Sequence, residues 1–383
     1  MTDHHWTYIW HQAITHSFMD GKTLGRNKTS IFMTDSPVNA QKLRLQFSNR
    51  YGSVPYMIGA ARIFTKAGSC PVTVNGNTEF EIPCGGLTAS DPCDLSAERG
   101  EKIQIRLFFK NTILDSNNIE DAANLVPGNQ TEFQSSRELL KPLPLKLLGI
   151  PNSIPAIEAV EALTDEPAGA IVAFGDSITA MSRWTKPLAK RLDEAYPGEY
   201  VLLNSGISGN CLLYRVKGKL GDMFGEKGTD RLKKDVLDIP NLHAVIIALG
   251  VNDVSYLSEE TADLITRKNF IREITAMTDI LHEKGVRVVI QTISPRLGVA
   301  RSMGKYTRDM EELRLQLNGW IRTAGIFDYV FDAEAVVRQE HSDGYYYAEG
   351  LHQGDHLHPN AEGGKLLAEA YDLEQLTGQI QKN

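Results

Sequence analysis

Over residues 1–115 apolar and polar positions alternate in short stretches, the period of a strand with one buried face. Leu43, Leu45 and Phe47 are separated by Arg44 and Gln46, and Asn49-Arg50-Tyr51-Gly52 then supplies a turn. Ile103, Ile105, Leu107 and Phe109 alternate with Gln104, Arg106 and Phe108. Between them, Val72-Thr73-Val74 and Phe80-Glu81-Ile82 flank Asn75-Gly76-Asn77. Asn-Gly accepts positive φ at little cost, so this stretch predicts a hairpin. Short strands broken by Gly and Pro turns predict a β-sandwich or jelly roll.

The pattern dissolves over residues 116–168, where Asn, Asp and Pro are frequent, and that segment is expected to connect two domains. From 169 to 383 the rhythm becomes strand–helix. Ile171 to Phe174, Tyr200 to Leu203, Ala244 to Leu249, Val286 to Ile290 and Tyr329 to Phe331 are short apolar runs, as buried parallel strands are. Amphipathic stretches lie between them, notably Thr261 to Lys284 before Gly285 and Tyr306 to Thr323 before Gly325. The expected fold is α/β, a doubly wound parallel sheet whose ligand sits at the carboxyl ends of its strands.

Composition narrows the classes of function. A net charge of −8 over 383 residues, with no basic run, argues against nucleic-acid binding, because phosphate neutralisation needs clustered Lys and Arg. No apolar run approaches the ~20 residues of a membrane span. The start, MTDHHWTYIWHQAITHSF, lacks the basic-then-apolar pattern of a secretory signal, so a cytoplasmic location is expected. Cys70, Cys84, Cys93 and Cys211 form no CxxC pair and are expected to be reduced thiols without a structural metal.

Functional residues in such a fold should follow the strands. Gly175-Asp176-Ser177-Ile178 comes after the first, Asn204-Ser205-Gly206-Ile207-Ser208-Gly209-Asn210 after the second and Gly250-Val251-Asn252-Asp253 after the third. Asp355-His356-Leu357-His358-Pro359-Asn360 lies after the fifth. A serine hydroxyl becomes a nucleophile when a base takes its proton, and histidine can do so near neutrality. The histidine in turn needs a carboxylate to fix its tautomer and orientation. Ser177, His358 and Asp355 are the candidates for these three roles.

In this order, the four blocks resemble the SGNH (GDSL-type) hydrolase family over roughly residues 168–383. The resemblance implies a serine-dependent carboxylic ester hydrolase working through an acyl-enzyme without a cofactor. Its oxyanion hole would use the backbone N–H groups of Ser177 and Gly209 and the side-chain amide of Asn252, with Asp176 and Asp253 in support. Gly206 is the alternative to Gly209 and reads better as a turn residue. Thr179-Ala180-Met181 departs from relatives that often carry an acidic residue or Gly there. With a β domain carrying Ser48-Asn49-Arg50-Tyr51-Gly52 in front, the arrangement looks like two-domain bacterial esterases of the acetyl xylan esterase type. That likeness implies an acetylated carbohydrate substrate and a homo-oligomer, with neither nucleic acid nor membrane as partner.

Several residues have plainer readings. Asp176 suits a helix N-cap, and Asn252 and Asp253 suit a turn. Asp279 and His282 share the spacing of Asp355 and His358 but sit at the end of a helical pattern and read as a solvated face. His4, His5, His11 and His16 read as surface residues. Trp184 reads as packing of the helix after Ser177 before it reads as a platform for a sugar ring. His352, Asp355, His356 and His358 offer a rival in which a metal-bound water attacks the ester, but that reading leaves Ser177 without a task. Two further alternatives are a short-chain esterase or thioesterase acting on a non-sugar substrate, and an inactive carbohydrate-binding protein. The absence of GxSxG, GxGxxG and Walker A patterns removes support for the usual α/β-hydrolase elbow and for dinucleotide or ATP chemistry.

Overall fold

The computed structural model describes residues 5–16, 26–111, 124–131, 156–299 and 305–379. Two compact units emerge, one of residues 1–168 with 197–203 and 218–223, the other of 169–196, 204–217 and 224–383. Among the described residues no helix is long and apolar enough to cross a membrane.

The first unit is antiparallel β. Its strands are β1 (His5–His11), β2 (Lys28–Asp35), β3 (Lys42–Ser48), β4 (Tyr56–Thr65), β5 (Gly68–Pro71), β6 (Phe80–Ile82), β7 (Leu87–Ala89), β8 (Lys102–Phe109), β9 (Asn124–Pro127) and β10 (Ile157–Thr164). One sheet runs β1-β10-β3-β7, the other β5-β4-β8-β2-β9 with β6 also on β4. Leu43, Leu45 and Phe47 of β3 and Ile103, Ile105, Leu107 and Phe109 of β8 are buried, as their alternation requires. Aromatic pairs join the two sheets as a sandwich: Trp10 lies 4.6 Å from Phe32, and Phe47 5.3 Å from Phe80.

Three expectations for this unit change. The stretch 116–168 is more than a connection, because β9 and β10 fall inside it, and β10 is hydrogen-bonded to β1 on one side and β3 on the other. Its strand character is hidden by the register shift between Ile157 and Ala159; Glu161, paired with Arg44 on the face opposite Leu43 and Leu45, is buried and accepts Nε and Nη2 of Arg44 at 2.5 and 3.0 Å and Nε2 of Gln46 at 2.8 Å. An extra residue in one strand shifts the period of two, so the apolar Ala159 and Val160 stand side by side in the sequence. The rest of the stretch, 116–123 and 132–155, lies outside the described residues. The Asn-Gly turn forms, with Asn75 at φ 51° and Gly76 at φ 78°, and the Asp91 carboxylate caps it by accepting both N–H groups. Beyond the Val74–Asn77 bridge its arms do not pair; Phe80–Ile82 pairs with β4 instead. His11 is buried on β1 rather than at the surface, whereas His5 and His16 are half-buried and His4 is outside the described residues. All four cysteines are free.

The second unit carries the doubly wound sheet. Strands β11 (Gly169–Gly175), β12 (Tyr200–Gly206, of which residues 200–203 cluster with the first unit), β13 (Leu242–Ala248), β14 (Arg287–Gln291) and β15 (Tyr329–Phe331) lie in the order β12-β11-β13-β14-β15. The β11/β13, β13/β14 and β14/β15 pairs are parallel. Strand order reverses at β11, which makes the carboxyl ends of β11 and β13 the place where such sheets hold their ligands. A hairpin of β16 (Arg338–His341) and β17 (Gly344–Tyr347), absent from the expected elements, follows β15. The helix expected from Thr261 spans Arg267–Glu283, because the Thr266 side chain caps it by accepting the Asn269 N–H. The next helix spans Arg308–Thr323 with Thr307 as its cap. Trp184 is fully buried and stacks on Tyr371 with ring centres 5.8 Å apart, so it packs the core and offers no sugar platform.

Candidate active site

β11 ends in Gly175 because the turn after it is tight: a Cβ there would stand 2.1 Å from Thr179 Oγ1. Asp176 caps the short helix Ser177–Ala180 by accepting the Ile178 N–H at 3.0 Å, the plain reading of that residue. Ser177 is thereby held at the helix start, 8% exposed. The partner loop precedes the helix Ala361–Ala370, whose cap is Asn360. In it Asp355 Oδ1 accepts the N–H groups of Leu357 and His358 at 3.0 and 2.9 Å, while Oδ2 accepts Gln353 Nε2 at 2.9 Å and lies 2.7 Å from His358 Nδ1. His358 Nε2 lies 2.8 Å from Ser177 Oγ. Residues 181 positions apart thus form one hydrogen-bonded chain.

The charges in this chain follow from its surroundings. Burial works to raise the Asp355 pKa, but hydrogen bonds from His358, Gln353 and two backbone N–H groups outweigh it and hold the carboxyl well below the usual range. An ionised Asp355 accepts a hydrogen bond from Nδ1–H and so fixes the ring proton there, leaving Nε2 with a lone pair toward Ser177. Such an arrangement can draw the proton from a serine hydroxyl as it attacks a carbonyl.

Asp176 behaves in the opposite way. Complete burial pushes its carboxyl from the ordinary 3.8 up to about 6, against the Ile178 N–H and the charges of His358, Arg296 and Arg231. A raised acid binds its proton more tightly folded than unfolded, so this stabilisation is full below pH 3.8 and is lost as the pH rises through about 6. Asp176→Asn keeps a capping oxygen and cannot titrate. Its stability relative to the parent should therefore rise by about 2.4 kcal/mol between pH 4 and pH 7, at ~1.4 kcal/mol per pKa unit. Urea denaturation at the two pH values checks this, and an offset independent of pH contradicts it.

The neighbouring strand ends supply the other predicted residues. Gly209 has φ 76°, and a Cβ on it would stand 2.3 Å from the Phe224 ring. Gly206 is fixed differently, by close approach of the helix after Ser177: its Cβ would stand 2.3 Å from Ala180 N. The Asn252 amide donates to Asn210 O at 3.0 Å, which ties it to this loop and leaves a second N–H. Asp253 is buried and accepts the Leu212 and Leu213 N–H groups at 2.8 and 2.7 Å. Burial pushes its carboxyl up to about 7 in spite of those bonds.

Arg231, absent from the sequence reading, holds these parts together. It is completely buried and donates to Gly175 O, Ser205 O, Asn210 Oδ1 and Asp235 Oδ2 at 2.7 to 3.1 Å. Its guanidinium also lies over the Phe174 ring, 4.0 Å from the centre. One side chain thus clamps the ends of β11 and β12 to the Asn210 loop. Arg296, beyond the end of β14, is 4% exposed, and its Nε and Nη1 meet no acceptor among the described residues. Burial lowers its pKa, opposed by Tyr306, Asp176, Tyr256 and Asp355 around it. Nothing in a lone arginine of a polar stretch signals either role.

The histidines of the rival metal reading divide. Ligating atoms of Glu349, His352 and His356 lie within 4.8 Å of one another, whereas Asp355 and His358 are engaged with each other and with Ser177. His352 Nδ1 accepts two backbone N–H groups, so the neutral ring carries its proton on Nε2, the nitrogen a metal in this cluster would need bare. The donor set does not suit a metal. His282, of the rejected pair, is partly exposed at its helix end and lies 2.8 Å from Asp328.

No curated protein matches the chain. Among solved structures, similarity reaches a carbohydrate acetylesterase from Sinorhizobium meliloti at 19% identity, over 53% of this chain and 95% of that one, with a TM-score of 0.39. An aryl esterase of M. smegmatis aligns at 17% identity over 55% and 100% of the two chains, TM-score 0.42. A GDSL-like lipase from Bacteroides thetaiotaomicron aligns at 16% identity over 52% and 84%, TM-score 0.37. The model of the GDSL-like lipase/acylhydrolase family matches residues 173–366, just over half of the 383, and the chain belongs to that family.

Proposed function

We propose that the protein is a serine esterase that removes acetyl groups from carbohydrate through an acyl-enzyme. The observation that carries the catalytic part is the chain Ser177–His358–Asp355, with contacts of 2.8 and 2.7 Å. In the first step Ser177 Oγ bonds to the acyl carbon while its proton moves to His358 Nε2. The imidazolium then protonates the leaving alcohol oxygen, and water repeats the sequence to release the acid. The oxyanion would be met by the N–H groups of Ser177 and Gly209 and the remaining amide N–H of Asn252. Asp253 supports that hole by fixing the Leu212–Leu213 segment beside it.

Two features support the substrate class. Ile178, Leu249, Val251 and Ile293 line a small recess beside Asp176, suited to a short acyl group. The Nε and Nη1 donors of Arg296, which meet no acceptor among the described residues, suit the hydroxyl-rich alcohol of a sugar ester. The proposal is tested by acetate release from acetylated xylo-oligosaccharides in the presence of EDTA, set beside p-nitrophenyl acetate and octanoate. Release should survive the chelator, and kcat/KM for acetate should exceed that for octanoate by about tenfold or more, as a short recess rejects added methylenes. Faster octanoate turnover contradicts the acetyl preference, and loss of activity in EDTA contradicts the serine mechanism.

A further inference from the structure

The loop that carries Asp355 is held from inside by a second histidine. Gly354 and His356, the neighbours of Asp355, both have left-handed backbones, with φ 95° and 57°. For a histidine that conformation is unfavourable and persists where its surroundings impose it. The N–H groups of both residues converge on one atom: Gly354 N donates to His352 Nδ1 at 3.0 Å and His356 N at 3.2 Å. His352 is 8% exposed, and its ring lies against that of His356, tilted by 35° with centres 4.2 Å apart. Around it, Gln353 N donates to His358 O, and Asn360 Nδ2 donates to His352 O at 3.2 Å. The loop is therefore closed upon itself with the His352 imidazole at its centre.

We infer that His352 is a positioning residue for the reaction: its unprotonated Nδ1 accepts the two peptide N–H groups flanking Asp355 and so aims that carboxylate at His358. This inference rests on the serine-esterase reading above. It assigns the imidazole a task that metal ligation would preclude, since Nδ1 is committed as an acceptor and Nε2 keeps its proton. Nε2 lies 3.6 Å from Glu349 Oε2, longer than a hydrogen bond, so the ring is oriented through Nδ1. The His356 ring, lying against the same imidazole, helps to hold the left-handed turn.

The test compares three substitutions at His352 in the full chain, with kcat and KM for p-nitrophenyl acetate and a melting temperature for each. Asn places an acceptor oxygen close to the position of Nδ1, Gln places it one methylene further out, and Leu has none. His352→Leu should lower kcat by about 10- to 100-fold with KM within about threefold, because displacing a catalytic group by an ångström costs about that much. His352→Asn should recover kcat to within about fivefold of the parent, and His352→Gln should not. Wild-type kcat in His352→Leu, or equal impairment of the Asn and Leu variants, overturns the inference. If the Leu variant fails to fold, the Asn and Gln pair decides: equal rates in the two overturn it. Activity retained by Ser177→Ala would instead overturn the underlying reading, so the two failures are distinguishable.

Discussion

Ser177→Ala is expected to lower kcat for ester hydrolysis by on the order of 10^6-fold, and His358→Ala by a similar factor. The two are not independent contributions. A hydroxyl without a base is a poor nucleophile, and a base without the hydroxyl has only water to activate, so removing either dismantles the same step. The double variant should therefore be little worse than either single one. Both side chains are buried, and Ser177→Ala deletes one oxygen at a helix position alanine favours, so the fold should persist. Steady-state kinetics with p-nitrophenyl acetate, alongside thermal unfolding of each variant, gives the answer. Losses that multiply in the double variant contradict a shared step.

Arg231→Met should be the most damaging change for stability, costing about 3–5 kcal/mol by leaving a buried charge without its partner. Asp235, 4% exposed, would lose its ion pair, and the carbonyls of Gly175 and Ser205 would lose donors. Methionine fills much of the same volume against Phe174, so the deficit arises from the polar partners left behind. Because those partners lie at the strand ends beside Ser177 and Asn210, kcat should fall together with stability. Replacing Asp235 by Asn should cost less, since an amide still offers an oxygen to the guanidinium. Chemical denaturation of both variants tests the order, and an unaltered midpoint for Arg231→Met would contradict the clamp.

What could be read from the chain follows from the physics of each part. The strands of the second unit are buried on both faces, so continuous apolar runs mark them, and side chains for chemistry must follow where each run ends. The placement of Ser177 and of the Asp355–His358 pair beyond such runs was legible for that reason. Helix starts were less so, because Thr266 and Thr307 act through their side chains several residues inside an amphipathic pattern. β10 was hidden because its register against β3 shifts between Ile157 and Ala159, an irregularity that breaks the period of two and that only the folded pairing creates. Arg231 and His352 were illegible for a related cause: each satisfies backbone groups, and backbone groups look alike in every sequence. The metal reading of the histidine loop rested on residue types, whereas hydrogen-bond direction decides against it.

The most direct measurement of the central claim is covalent labelling by a fluorophosphonate, which reacts with a serine oxygen activated by a neighbouring base. The parent protein should gain one adduct, located by peptide mass spectrometry on Ser177, at a rate matched by loss of esterase activity. The His358→Ala variant should remain unlabelled over the same time. Esterase activity that is lost with no adduct on Ser177, or an adduct on another residue, would contradict the account.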